Sequence, residues 1–65
     1  MTEEIAVRAA LVYVPGYTAR CAVTRRRARC IVRDRRFDYD AGVTYLVRWD
    51  VRLRLDASGR IKLAG

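Results

Sequence analysis

The hydrophobic pattern is clearest near the C-terminus, over residues 43–56. Odd-numbered positions from 43 to 55 are all apolar, whereas the even-numbered positions are polar apart from Leu46. This period of two predicts a strand with one buried face. Such a strand would span roughly 46 Å, whereas a compact chain of this length has a radius of gyration of about 11 Å. We therefore expect the strand to bend, bulge or break between residues 48 and 51.

Two shorter segments also favour strands. Residues 5–14, in which only Arg8 is charged, are otherwise apolar on both alternating faces and predict a first strand that is covered on both sides. Pro15 and Gly16 end it, because they fit the central positions of a type II turn. Residues 56–59 fit a type I turn, which returns the chain into a short last strand over residues 60–63.

The segment that follows the first predicted strand, residues 17–36, has two interpretations. One is a helix near residues 18–33, although Arg26 would then interrupt its apolar stripe. The other is a hairpin that turns at residues 25–26, or through a wider loop over 24–27, with the pairs 23:28, 21:30 and 19:32. That register gathers small apolar residues on one face, namely Ala19, Cys21, Val23, Ala28, Cys30 and Val32. We favour the hairpin. With the hairpin, the whole chain predicts a single all-β domain over residues 1–65, built as a five-stranded meander or a partly closed barrel. With a helix near residues 18–33 instead, the fold class would be α+β.

The charged residues indicate which kinds of function the sequence allows. The 65 residues carry 14 basic and 7 acidic side chains, a net charge of +7, and no histidine. Without histidine, and with only two cysteines, a zinc site and the usual nucleophile–base couples lack their side chains. We expect a binding module with no catalytic activity and no cofactor.

Most of the excess charge lies between residues 25 and 36, and further arginines alternate along the long strand. Guanidinium groups bind phosphates and carboxylates through two parallel hydrogen bonds, so these side chains are the candidate nucleic-acid-binding residues. They are Arg25, Arg26, Arg27, Arg29, Arg33, Arg35, Arg36, Arg48, Arg52 and Arg54. The alternative is a solvated charged hairpin that keeps an edge strand from aggregating.

The two cysteines would face each other across the hairpin, close enough to crosslink in an oxidising compartment. The N-terminus is acidic where a secretory signal would be basic, and the longest apolar run, residues 9–14, is too short to span a bilayer. A cytoplasmic location without membrane association is therefore the default. There we expect Cys21 and Cys30 to be reduced core residues.

A further pattern resembles a known family. Ile31-Val32-Arg33-Asp34-Arg35-Arg36, a loop ending at Gly42, and Tyr45-Leu46-Val47-Arg48-Trp49 look like two adjoining strands of a chromodomain. The resemblance covers about twenty residues and extends to small SH3-like and chromo-like barrels, which include basic proteins that bind duplex DNA. It implies an aromatic-cage role for Trp49. The simpler interpretation is that Tyr45 and Trp49 belong to the core.

Together these features predict a small basic domain that binds the phosphate backbone of DNA or RNA. The rival hypothesis is a small phage or mobile-element protein that docks on an acidic surface of a host protein complex. Both need a positive surface on a stable scaffold, so the sequence leaves them open. It also leaves open whether the protein is a monomer or a homodimer paired through an exposed strand edge.

Overall fold

The computed structural model, which describes residues 1–64, shows one helix followed by a four-stranded antiparallel sheet. The strands follow the order β1-β2-β3-β4 across the sheet. The elements are α1 (Glu3–Tyr13), β1 (Thr18–Val23), β2 (Arg27–Asp38), β3 (Val43–Leu55) and β4 (Ile61–Leu63). The fold is thus mostly β. The expected fifth strand is wrong, because the first segment is a helix, and the sheet is open where a partly closed barrel was the alternative to a meander.

The N-terminal helix begins with local signals that outweigh the apolar alternation. The Thr2 hydroxyl caps it by accepting a hydrogen bond from the Ile5 N–H at 3.3 Å, and two acidic residues occupy the first turn, where they interact favourably with the helix dipole. Ala6 and Ala10, four residues apart, are both fully buried against the sheet. The predicted first strand over residues 5–14 is wrong, because a segment of small apolar residues fits both the strand period and the helix stripe.

The hairpin between β1 and β2 confirms the predicted register, with the pairs 19:32, 21:30 and 23:28. The helix near residues 18–33 is therefore wrong. The turn is the wider loop over residues 24–27, closed by the Thr24 N–H donating to the Arg27 carbonyl at 2.8 Å. No residue other than glycine has a positive φ within residues 1–64, so the Arg25-Arg26 tip is free of backbone strain.

The hairpin between β2 and β3 is long and unbroken. Its pairing runs in one register from Arg27↔Arg54 to Asp38↔Val43, so the expected bend between residues 48 and 51 is wrong. The molecule is elongated instead, with extents of 47 × 17 × 15 Å and a radius of gyration of 13.7 Å. The long strand β3 therefore stays intact, and its far end projects from the rest of the molecule as part of a hairpin.

Gly16 and Gly59 both lie at turns, but glycine is needed at each for a different reason. Gly16 lacks the positive φ of a type II turn, so that prediction is wrong. A Cβ there would lie 2.6 Å from Val32 Cγ1 and 2.8 Å from the Arg33 carbonyl oxygen, so glycine permits the chain to approach β2. Gly59, with φ of +84°, ends the predicted turn after Asp56, whose carbonyl accepts its N–H at 3.1 Å.

The core lies between α1 and one face of the sheet. Its buried members are Ala6, Ala10, Cys21, Ala28, Cys30, Val32, Val51 and Leu53. At its edges, the Tyr13 hydroxyl donates to the Ile61 carbonyl at 3.1 Å and the Met1 ammonium donates to the Arg25 carbonyl at 3.1 Å. These contacts tie both ends of the helix to the sheet. No helix within residues 1–64 is long and apolar enough to cross a bilayer.

Cys21 and Cys30 are joined by a disulfide bond inside this core, with their Cα atoms 4.1 Å apart. The expected juxtaposition across the hairpin is confirmed, whereas the expectation of two reduced thiols is not what the structure shows. The bond links the edge strand β1 to β2 directly beneath the helix, since Cys30 Sγ lies 4.0 Å from the Ala6 carbonyl oxygen.

Candidate nucleic-acid interface

The sheet face opposite α1, which we name the open face, collects most of the predicted arginines. Strand alternation places every second residue of β2 and β3 there, because the intervening residues point to the helix side of the sheet. Its basic side chains are Arg20, Arg27, Arg29, Arg33, Arg35, Arg48, Arg52, Arg54 and Lys62. Among the strand residues that the structure describes, Asp50 is the one acidic side chain on this face.

Arginines on the open face are paired with each other across the strands. Arg27 lies opposite Arg54, Arg29 opposite Arg52, and Arg33 opposite Arg48. We name these three rows the arginine ladder. Paired residues of an antiparallel sheet have Cβ atoms about 4.5–5.5 Å apart, and rows two residues apart are separated by roughly 6.6 Å. The ladder therefore holds six guanidinium groups within reach of one extended polyanion.

Few carboxylates neutralise this face. Asp50 Oδ1 lies 3.6 Å from Arg48, and Glu3 Oε1 lies 3.8 Å from Arg20. Lys62 pairs with Asp56 at 3.4 Å. Within residues 1–64, no carboxylate lies at ion-pair distance from the other open-face cations, namely Arg27, Arg29, Arg33, Arg35, Arg52 and Arg54. The face consequently carries a concentrated positive field.

A shallow hollow of about 530 Å³ opens on this face between β1 and β3. Arg20, Arg29 and Arg48 line it, together with Asp50 and Glu3. Ile31, which is opposite Asp50 in the row that interrupts the ladder, also lines it. No group of three or more acidic, cysteine or histidine side chains within residues 1–64 is arranged to hold a metal ion.

Three of the predicted site residues lie elsewhere. Arg25 and Arg26 occupy the β1–β2 turn, where their carbonyls accept the Met1 ammonium and the Leu55 N–H. Arg36 is on the helix side of the sheet, with its guanidinium carbon 5.4 Å from the centre of the Trp49 ring and its Nε 3.7 Å from Asp34 Oδ2. The sequence run therefore mixes residues of two faces and a turn, because a charge count ignores the strand period.

Two cations of the open face, Arg20 and Lys62, are not among the candidates predicted from the sequence. Arg20 is adjacent to Ile31 across β1 and β2, and Lys62 lies opposite Arg54 across β3 and β4. The alternation of the predicted hairpin already put Arg20 beside Arg29 and Arg33, so that signal was available. Lys62 had no such signal, since only its pairing with β3 decides its face.

The two aromatic residues of the chromodomain-like pattern have different environments. Trp49 is half-buried and packs against the core, as the simpler interpretation predicted. Tyr45 is 48% exposed and does not belong to the core. The Arg36 guanidinium occupies the neighbourhood of the Trp49 ring in a cation–π contact, the place that an aromatic cage would reserve for a ligand cation.

Comparison with protein-family models, with curated proteins and with solved structures finds no match.

Proposed function

We propose that this protein is a non-enzymatic binding module whose open face binds the phosphate backbone of nucleic acid. The observation that carries the proposal is the arginine ladder, three rows in which arginine lies directly opposite arginine. Like charges placed opposite each other across a sheet lower its stability by roughly 0.2–1 kcal/mol per pair. A sheet that holds three such rows, with few carboxylates near them, is suited to an anionic ligand.

The chemistry of the side chains favours phosphate. The guanidinium group is planar and keeps its charge, and it binds phosphate oxygens through two parallel hydrogen bonds. The rows follow one extended strand pair, with a step of two residues and then one of four where the Ile31–Asp50 row intervenes, so they form a linear track of charge that a nucleic-acid backbone can follow. Phosphates bound along the ladder would release condensed counterions, which makes the affinity strongly dependent on salt.

The test is a fluorescence anisotropy titration with labelled DNA and RNA at several salt concentrations. If about six phosphates are neutralised, log K falls with log salt at a slope near −5 for duplex DNA, or about −4 for single strands. A triple variant of the open face, Arg29→Gln, Arg33→Gln and Arg52→Gln, should flatten that slope by about 2–3 units. The same variant should be at least as stable as the wild type, because it relieves repulsion within the ladder.

A matched control variant removes three positive charges from outside the open face. The variant Arg25→Gln, Arg26→Gln and Arg60→Gln alters exposed side chains in the two turns and should leave the slope nearly unchanged. Equal flattening by both triple variants would show that net charge alone matters and that the open face is not the site. Binding weaker than about 10⁻⁴ M at low salt would be poorer than ordinary non-specific association. An acidic protein surface would then be the partner to test.

A further inference from the structure

An exposed tyrosine lies at the end of the arginine ladder. Tyr17 precedes β1, and its N–H donates to the Arg33 carbonyl at 2.9 Å, so it is fixed beside the last row of the ladder. Its side chain is nevertheless 72% exposed. The Arg35 guanidinium carbon lies 5.6 Å from the centre of its ring. The hairpin register has thus brought together an aromatic ring and two arginines that are 16 or more residues away in the chain.

The surroundings of this ring are partly apolar. Leu46 lies opposite Arg35 on the open face and is 77% exposed, although the other open-face residues of β3 are polar. A shallow hollow of about 190 Å³, which we name the Tyr17 hollow, is lined by Tyr17, Thr18, Arg33, Asp34, Arg35 and Leu46. Its lining thus includes an aromatic residue, an aliphatic residue and two arginines.

One acidic side chain also borders this hollow, and its charge is already engaged. Asp34 Oδ1 accepts the Arg35 N–H at 2.8 Å. Its Oδ2 lies 3.7 Å from Nε of Arg36, which shares the helix side of the sheet with Asp34. The carboxylate is therefore held by the backbone and by a cation that takes no part in the ladder. It leaves Arg33 and Arg35 available to an anion.

We propose that the Tyr17 hollow is a stacking site for a nucleobase, and that the ligand of the open face is therefore single-stranded nucleic acid. The inference rests on the proposed function, because the ladder must hold the backbone that presents the base. Bases in a duplex stack on each other and hide their faces, whereas an unpaired base can lie on an aromatic ring or a guanidinium plane. A positively charged track that ends in an exposed ring is the combination that single strands require.

The experiment compares three labelled ligands of about 12 nucleotides, within the usual range of binding-site sizes, at one low salt concentration. They are oligothymidine, an abasic strand with the same number of phosphates, and a duplex. The wild type should bind oligothymidine about 5- to 150-fold more tightly than the abasic strand, the range that stacking of one base supplies. Tyr17→Ser should lose this preference and keep the affinity for the abasic strand. Tyr17→Trp should preserve or increase it.

A matched control is available on the other side of the same hairpin. Tyr45 is exposed on the helix side of the sheet, opposite Arg36, so Tyr45→Ser should leave the preference for oligothymidine intact. The proposal is overturned if the wild type binds the abasic strand as tightly as oligothymidine, if it binds the duplex more tightly, or if both serine variants lose the preference equally. These results would leave phosphate binding by the ladder in place. Failure to bind any of the three ligands would overturn both proposals.

Discussion

The two ends of the β2–β3 hairpin share one register but have different surroundings. Near the helix, Cys30, Val32, Val51 and Leu53 are buried beneath α1. Further along, in residues 34–47, which we call the arm, the same alternation continues but Val43 and Tyr45 stay about half exposed. Alternation of apolar and polar residues therefore identifies the apolar face of a strand, but it does not show whether another element of the fold covers that face.

Element length explains the difference. An 11-residue helix is about 16 Å long, whereas a ladder of twelve pairs extends for roughly 40 Å. The helix therefore covers less than half of the hairpin. The neighbouring strands are short as well, since β1 pairs with β2 up to Arg33 and β4 pairs with β3 over residues 53–55. Apart from its first row, where Asp34 and Val47 are partly buried, the arm is a two-stranded ribbon whose residues 35–46 are all exposed.

The largest expected effect compares two leucines of β3. Leu53 is 1% exposed in the core, whereas Leu46 is 77% exposed in the arm. Leu53→Ala should lower the free energy of unfolding by about 2–5 kcal/mol, because it removes buried methyl groups and leaves a cavity. Leu46→Ala should change it by no more than about 0.5 kcal/mol. Urea denaturation followed by circular dichroism measures both, and similar losses would mean that the arm is covered in solution.

A second comparison uses the disulfide, which lies entirely in the covered part. A crosslink that closes a loop of this length stabilises a protein by about 2–3 kcal/mol through the unfolded state. Adding a reductant should therefore lower the midpoint of urea denaturation. The double variant Cys21→Ala and Cys30→Ala serves as the control, since its midpoint should not respond to reductant. A wild-type midpoint that is the same with and without reductant would show that the bond does not form in solution.

The smallest effect concerns the turn between β3 and β4, at the end of the molecule remote from the arm. The Ser58 hydroxyl donates to Asp56 Oδ1 at 2.7 Å, and the N–H groups of Arg60 and Ser58 donate to the same oxygen at 2.9 Å. These hydrogen bonds lower the pKa of Asp56 from its ordinary value of 3.8 to about 2. Because the pKa is lower in the folded state, this stabilisation is present above pH 4 and is lost as the pH falls from about 4 to about 2.

Ser58→Ala removes the largest of these hydrogen-bond contributions and should raise the pKa of Asp56 towards 3.8. An NMR titration of the side-chain carboxyl carbon measures the value in both proteins. An unchanged pKa in the variant would contradict the assignment of the shift to the Ser58 hydroxyl.

Local patterns in the sequence were sufficient for part of the fold. The alternation over residues 43–55 predicted β3, and the paired small residues around the Arg25-Arg26 turn predicted the register that places Cys21 against Cys30. Both succeed because a strand pair with one buried face tolerates no slip of one residue. The same alternation identified Arg48, Arg52 and Arg54 of β3 as outward-facing candidates, whereas the candidates of β2 came from the charge run.

Other features depended on how the elements pack. Residues 5–14 satisfy a strand and a helix equally in their apolar pattern, and the Thr2 cap together with the burial of Ala6 and Ala10 against the sheet selects the helix. Whether β3 breaks or projects is decided by the short helix above it. The sequence by itself determined the strand faces and the excess of positive charge, since both are local properties. Only the tertiary structure decided which arginines share a surface with Tyr17, because that depends on pairing between distant segments.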